Sequence, residues 1–152
     1  MKGLSSACVV PASTGTGHNG NGKDMTAMRV DQAMISLTIP ADPVYVRLVR
    51  LVVASTAADL GFSYDRVEDV RLVASETSNL AIGLCRRGGI VRFGIDCVHG
   101  AIAVAVECPT DHIEVDFDPL ARQIVAALTD VCAASIHDDK LRVAFRCPPA
   151  VA

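Results

Sequence analysis

The sequence predicts an α+β fold, a two-layer sandwich in which helices cover one face of a mixed, mostly antiparallel sheet. Two observations predict it: the element order is β-α-α-β-β-α-β-β, and two pairs of apolar segments flank short turns. The chain has 152 residues, of which 51% are hydrophobic. A chain of this length buries about two thirds of the surface that its unfolded form exposes, so it needs neither metal nor disulfides to hold a core. We expect an aliphatic core, because the sequence has no Trp, 4 Phe and 2 Tyr.

The first 32 residues are predicted to be a flexible, low-complexity tail, and residues 33–148 to be one domain. Residues 1–32 are rich in Ser, Thr, Gly and Asn and lack the period of a strand or of a helix. The pattern of the sequence changes at Ala33, where apolar and polar residues begin to alternate. The sequence contains no internal repeat and no second domain.

The domain begins with a strand that is followed by a helix. Apolar residues alternate with Ser and Thr over residues 35–39, which is typical of a strand with one buried face, and Pro40 ends the alternation. Asp42 then offers an N-cap with a proline at the first helical position. Apolar residues recur at helical spacing beyond it, which predicts a first helix over about residues 43–60.

Two further helices and two hairpins complete the predicted domain. Ser63 or Asp65 caps a second helix that runs to about Leu84, and a third helix starts at Pro119. Apolar segments on either side of short turns predict the two hairpins. Their strands are predicted at residues 90–97 and 101–108, and at residues 134–137 and 141–147.

The charge balance argues against partners that are recognised by their phosphate charge. The chain has 14 basic and 17 acidic residues, a net charge of -3 and a pI near 5.7. We therefore expect no direct contact with nucleic acid or with membranes.

Six cysteines occur without a C-x-x-C pair, so the sequence predicts neither structural zinc nor a disulfide scaffold. Because the sequence lacks a secretory signal and a membrane-spanning run, we expect a cytoplasmic protein.

Four segments carry a resemblance to a known family. They are IPADPVYVR at 39–47, GF at 61–62, VEDVRLVASETSN at 67–79 and LARQIVAALTD at 120–130. Over about residues 33–147 the chain resembles the anti-sigma-factor serine kinases of bacteria, a branch of the GHKL (Bergerat-fold) ATPase superfamily. The resemblance implies a histidine-kinase-like ATPase fold, which agrees with the predicted element order. It also implies a cytoplasmic, often dimeric switch that sequesters a sigma factor and uses ATP to phosphorylate a serine on an antagonist protein.

The resemblance assigns the catalytic role to Glu76. In the family, a Glu and an Asn on one helical face act as general base and as magnesium ligand. Glu76 matches the family Glu without a gap, whereas the family Asn falls on Leu80 and Asn79 stands one position early. A spacing of three keeps Asn79 on the same side of the helix as Glu76. We therefore expect Glu76 and Asn79 at a nucleotide site, with Asn79 as the magnesium ligand.

The rest of the predicted nucleotide site follows the second strand of the first hairpin. There the family has an Asp that binds the adenine amino group, and Cys108 occupies that position here. A thiol is a poor acceptor, so Glu107 or Asp111 would have to substitute through a shift in register. The Gly-rich lid of the family is replaced by a segment that has no glycine and four carboxylates. These carboxylates either repel a triphosphate or only solvate a surface loop, and they are Asp111, Glu114, Asp116 and Asp118.

These departures favour a regulatory protein over an enzyme. We expect the chain to control transcription by binding a sigma factor, its anti-anti-sigma antagonist or both, with nucleotide binding weakened or lost and no cofactor required. The alternative is an active serine kinase that uses Mg-ATP to phosphorylate an anti-anti-sigma factor. The catalytic domain of a sensor histidine kinase is a weaker alternative, because nothing upstream resembles a helical segment with a phosphoacceptor His. The family also implies a homodimer.

Overall fold

A computed structural model describes residues 28–150 of the chain. Short 3-10 turns at Val30–Gln32 and Pro43–Tyr45 accompany five strands and three helices. In chain order these are β1 (Ile35–Pro40), α1 (Val46–Asp59), α2 (Tyr64–Leu84), β2 (Ile90–Val98), β3 (Ala101–Pro109), α3 (Pro119–Leu128), β4 (Val131–His137) and β5 (Lys140–Cys147). The predicted α+β fold is confirmed.

The sheet has the strand order β1-β2-β3-β5-β4, and every pairing between the described strands is antiparallel. Both predicted hairpins are present. The β2–β3 turn passes through His99 and Gly100, and the β4–β5 turn through Asp138 and Asp139, whose φ angles are 51° and 58°. The sequence predicts a mixed, mostly antiparallel sheet, whereas the described sheet is antiparallel throughout: β1, β3 and β4 run in one direction, β2 and β5 run in the other, and no two neighbours are parallel.

The helix starts follow from the capping residues in the sequence. The Asp42 carboxylate accepts a hydrogen bond from the Val44 amide at 3.0 Å, and the first turn that follows is a 3-10 turn, so the predicted helix 43–60 becomes α-helical only at Val46. Of the two candidate caps of α2, Ser63 serves, since its hydroxyl accepts from the Arg66 amide at 3.2 Å. No described helix is both long and apolar enough to cross a membrane.

The helices cover one face of the sheet, and the core lies between the two layers. Alternate residues of each central strand point at α1 and α2, as a period of two requires. The largest fully buried side chains are aliphatic, as the composition predicts, apart from two phenylalanines. They are Phe93, Phe145, Ile95, Ile102, Leu141, Val30, Val49, Val53, Val70, Val73, Val91 and Val104.

The opposite, open face of the sheet is partly covered by the turn Val30–Gln32. Val30 is 2% exposed and packs over Gly94, where an added Cβ would lie 2.9 Å from the Val30 Cα and 2.8 Å from the Ala33 Cβ. A glycine in β2 is therefore what lets this turn approach the sheet. The sequence assigns residues 30–32 to the flexible tail. Residues 1–27 of that tail lie outside the described residues, so its flexibility stays a prediction.

Candidate functional site

A cavity of about 390 Å³ opens between α2, α3 and the loop that joins β3 to α3. We call it the α2–α3 cavity. The lining residues on α2 recur at spacings of three and four, so they lie on one side of the helix. They are Glu76, Asn79, Leu80, Gly83 and Leu84, and the loop and α3 add His112, Asp116, Phe117, Asp118 and Ala121.

The loop beside the cavity is fixed at its start by Thr110. This side chain is fully buried, and its hydroxyl donates to the Leu84 carbonyl oxygen at 2.6 Å. The same hydroxyl accepts from the His112 amide at 3.1 Å, while the Thr110 amide donates to the Asp139 carbonyl at 2.9 Å. The start of the loop is therefore tied both to the end of α2 and to the turn of the second hairpin.

The carboxylates of this loop have different surroundings. Asp111 forms an ion pair with Arg86 at 2.9 Å, and Asp118 caps α3 by accepting from the Ala121 amide at 3.0 Å. Glu114 and Asp116 are exposed and form no ion pair with any residue of the described range 28–150. The predicted acidic segment is thus only partly a solvated surface loop, because Asp116 and Asp118 also line the α2–α3 cavity.

The charge of the α2–α3 cavity is negative. Three carboxylates line it, those of Glu76, Asp116 and Asp118, and no Lys or Arg is among its described lining residues. Like charges that share a site oppose the ionised form of one another and repel an incoming anion. The cavity therefore disfavours an unaccompanied phosphate group.

The donors around the cavity do not form a metal site by themselves. Carboxylate and amide oxygens are the ligands that magnesium prefers. Within the part of the chain that the structure describes, however, no group of three His, Cys, Asp or Glu side chains is arranged to hold a metal ion. Magnesium bound at Asn79 would therefore depend on ligands brought by another molecule.

The structure brings two of the four predicted nucleotide-binding residues together. Glu76 and Asn79 both line the α2–α3 cavity, Glu76 half-buried and Asn79 exposed. The position of the family Asn, Leu80, lines the same cavity but is 7% exposed and belongs to the core. The side of α2 that the resemblance selects is thus the side that faces the cavity.

Cys108 and Asp111, the other two predicted residues, are not among the lining residues of this cavity. Cys108 is 2% exposed, and its thiol donates to the Ala81 carbonyl oxygen at 3.5 Å. Burial and then the neighbouring Cys85 thiol raise the pKa of Cys108 to about 12, so it stays protonated at neutral pH. The Asp111 carboxylate instead accepts a hydrogen bond from Arg86 Nε at 2.9 Å. A role for these two residues at a nucleotide stays a prediction.

Several cavity residues were not predicted as site residues, among them Gly83, His112 and Phe117. Gly83 could have been found from the helix period, because it lies seven residues after Glu76 on α2. A Cβ added at Gly83 meets nothing within 4 Å, so the space beside this glycine is open. His112 and Phe117 line the cavity because of the conformation of the loop between β3 and α3. The sequence of this loop has no periodic pattern that could have predicted their positions.

A two-layer α+β sandwich with a cavity between α2 and α3 agrees with the histidine-kinase-like ATPase fold that the resemblance implies. No protein-family model matches the chain. The chain is similar to proteins named serine-protein kinase RsbW: it is 36% identical over 66 residues to that of Bacillus velezensis, 33% over 55 residues to that of Bacillus subtilis, and 29% over 99 residues to that of Bacillus cereus.

These matches cover 40%, 36% and 59% of this chain, and 41%, 34% and 56% of the three relatives. The chain therefore spans about half the length of the curated relatives that it matches, or less. The resemblance to the anti-sigma-factor serine kinases is confirmed at this level of similarity. Because the similarity covers only part of each relative, the activity and partners of the whole protein stay predictions.

Proposed function

We propose that this chain is an anti-sigma-factor-like regulatory protein that binds a sigma factor, its anti-anti-sigma antagonist or both, and that its nucleotide binding is weakened or lost. The similarity to proteins named serine-protein kinase RsbW supports a role of the kind that the anti-sigma-factor serine kinases have. The observation that carries the loss of nucleotide binding is the charge of the α2–α3 cavity, where three carboxylates and no Lys or Arg line the described walls.

The outer face of α1 supports the binding of a protein partner. Leu48 and Leu51 of α1, together with Val44 in the 3-10 turn before it, follow one another at helical spacing and form what we call the α1 face; Val44, Leu48 and Leu51 are 54%, 39% and 61% exposed. Arg47 and Arg50 flank them, and neither forms an ion pair with a residue of the described range. Exposed apolar side chains between unpaired cations favour a partner surface that combines apolar and acidic residues. We assign the sigma factor or its antagonist to this α1 face.

An active kinase is the alternative, and one observation favours it. Glu76, the residue that the resemblance assigns as general base, lines the cavity together with Asn79. An enzyme of this kind would need Mg-ATP, with the metal offsetting the repulsion between the carboxylates and the phosphates. The predicted cytoplasmic location and the prediction that the chain binds neither nucleic acid nor membranes are compatible with both functions.

Nucleotide binding is tested by thermal unfolding with and without millimolar Mg-ATP. We expect no shift of the midpoint, because the cavity lacks a cation for the phosphates. A ligand at a hundredfold its dissociation constant stabilises a protein by about 2.7 kcal/mol, which raises the midpoint of a domain of this size by several degrees. A shift of that size that requires magnesium and is lost in Glu76→Ala or Asn79→Ala would favour the kinase.

The binding surface is tested with the sigma factors and anti-anti-sigma proteins of the source organism, each purified and titrated singly. The variant Leu51→Asp places a charge in the α1 face and should weaken binding of the partner by about tenfold or more. Leu72→Asp is the matched control, since Leu72 is 41% exposed but lies on α2. Glu76→Ala should also leave affinity unchanged. Equal losses in Leu51→Asp and Leu72→Asp, or none in either, would contradict the assignment.

A further inference from the structure

The open face of the sheet, on the side away from the helices, contains a second charged cavity. Its volume is about 600 Å³, and we call it the open-face cavity. Among the described residues, four cationic side chains and three carboxylates line it, in a chain whose net charge is -3. The cations are Arg29, Arg92, Lys140 and Arg142. The open-face cavity is therefore positive, whereas the α2–α3 cavity is negative.

Two arginines of the open-face cavity are held in place by a buried carboxylate. Glu107 is 7% exposed and lies directly opposite Arg92 of β2 and Arg142 of β5 in the sheet. Its Oε1 accepts from Arg142 Nε at 2.9 Å and from Nη2 at 2.6 Å, and its Oε2 lies 4.0 Å from Arg92 Nη1. Arg92 Nη2 also donates to the Asp31 carboxylate. Both guanidinium groups are thus fixed before a ligand binds, which lowers the entropic cost of binding to them.

The remaining charge of the cavity comes from the start of β5. Lys140 and Asp138 both line the cavity, and neither forms an ion pair with a residue of the described range 28–150. With His137 neutral, the lining carries an excess of one positive charge. A polynucleotide gains its affinity from several phosphate contacts at once, so this small excess favours a ligand with one carboxylate at the cavity.

An apolar trough continues from the open-face cavity along the sheet. Its volume is about 340 Å³, and it shares Glu107 and Arg142 with the cavity. Its lining includes Ala105, Ala144 and Ala133, which face one another across β3, β5 and β4. Ala105 and Ala144 lie two residues from Glu107 and Arg142 on their strands. A row of small apolar side chains therefore runs parallel to the charged row, about 6.6 Å away from it.

We propose that the open face binds an extended acidic segment of a partner protein, in which an apolar residue stands two positions from a carboxylate. The carboxylate lies at Arg142 and Lys140, and the apolar side chain lies in the trough over Ala144. An extended chain rises about 3.3 Å per residue and directs alternate side chains to one side, so residues i and i+2 match the two rows. The α1 face and the α2–α3 cavity take no part, since both belong to the helical layer.

The test is a titration of the full chain against a fluorescent eight-residue peptide that repeats serine-valine-serine-glutamate, followed by anisotropy. We expect saturable binding. Replacing both glutamates by glutamine should raise the dissociation constant by about tenfold or more, because a neutral amide loses the attraction to the cations. A peptide of the same composition that repeats valine-serine-serine-glutamate should bind about fivefold or more weakly, since its valines then point away from the sheet.

Matched charge changes locate the bound peptide. Lys140→Glu should raise the dissociation constant by about tenfold or more, and Lys140→Gln by less. Arg50→Glu reverses a charge beside the α1 face instead and should leave the affinity unchanged, and the midpoint of thermal unfolding should be similar in all three variants.

Four results would each overturn the proposal. They are the absence of saturable binding, equal affinity of the parent and both Lys140 variants, an equal loss in Arg50→Glu, and displacement of the peptide by an oligothymidine of similar length. A loss confined to Arg50→Glu would place the peptide on the α1 face, which is the surface of the function proposed above.

Discussion

Replacement of Arg66 by Met is expected to lower the free energy of unfolding by about 3 kcal/mol, the largest loss that a single side chain outside the core should cause. Arg66 lies in the first turn of α2 and is only 4% exposed. Its Nε donates to the Pro148 carbonyl oxygen and its Nη2 to the Leu128 carbonyl oxygen, both at 2.8 Å. One guanidinium therefore joins the start of α2 to the end of α3 and to the segment after β5.

Met keeps most of the apolar volume of Arg66 and removes the hydrogen-bond donors. The Pro148 and Leu128 carbonyls then lose a donor in a partly buried setting, and each unsatisfied group costs about 1–3 kcal/mol. The measurement is urea unfolding followed by circular dichroism, with the slope of the transition compared between variants. An unchanged slope with a lower midpoint identifies a change in stability rather than a change in the unfolded state.

Asp69→Asn is the matched control for Arg66. It removes the ion pair with Arg66, whose atoms are 3.2 Å apart, but leaves both carbonyl hydrogen bonds in place. Because the Asp69 side chain is 35% exposed, its loss should cost less than about 1 kcal/mol. If Asp69→Asn destabilises the protein as much as Arg66→Met, the ion pair and not the carbonyl contacts holds the three segments together.

Local signals in the sequence were sufficient for the elements of this fold. The Ser63 cap, the alternation in β1 and the two short turns each act within a few residues, so they are visible in one sequence. The strand order was not predicted, because β5 pairs with β3 from 30 or more residues away in the chain, and no local pattern encodes such a pairing. The contact of Val30 with Gly94 depends on the same kind of long-range approach.

Only part of the candidate site was predicted, because local patterns show some of its residues and the others depend on long-range contacts. The period of α2 was sufficient to bring Glu76 and Asn79 to one side of the helix, and that side faces the α2–α3 cavity. His112 and Phe117 depend on how the loop after β3 is tied down by Thr110, which a pattern does not encode. The surroundings of Cys108 also required coordinates, because strand period gives a face but not the neighbours beneath it.

Cys108→Asp introduces the residue type that the resemblance implies at this position, and we expect it to destabilise the protein by about 3 kcal/mol or more at pH 7. Cys108 is 2% exposed, and the acceptor nearest its thiol is the Ala81 carbonyl oxygen. An ionised carboxylate there would be desolvated and would face another acceptor. Cys108→Ser is the control, because a hydroxyl can donate to that carbonyl as the thiol does.

The loss of stability in Cys108→Asp, measured as the decrease in the free energy of unfolding, should depend on pH. Burial raises the pKa of a carboxyl in the folded state above its unfolded value of about 3.9, so the unfolded chain ionises first as pH rises. Destabilisation is therefore smallest below about pH 4 and grows towards neutral pH. The parent residue does not titrate in this range, since its pKa is raised to about 12. Urea midpoints at pH 4 and pH 7 measure the effect. A variant that is as stable as the parent at both values would indicate that this position has access to solvent, as an adenine-binding carboxylate requires.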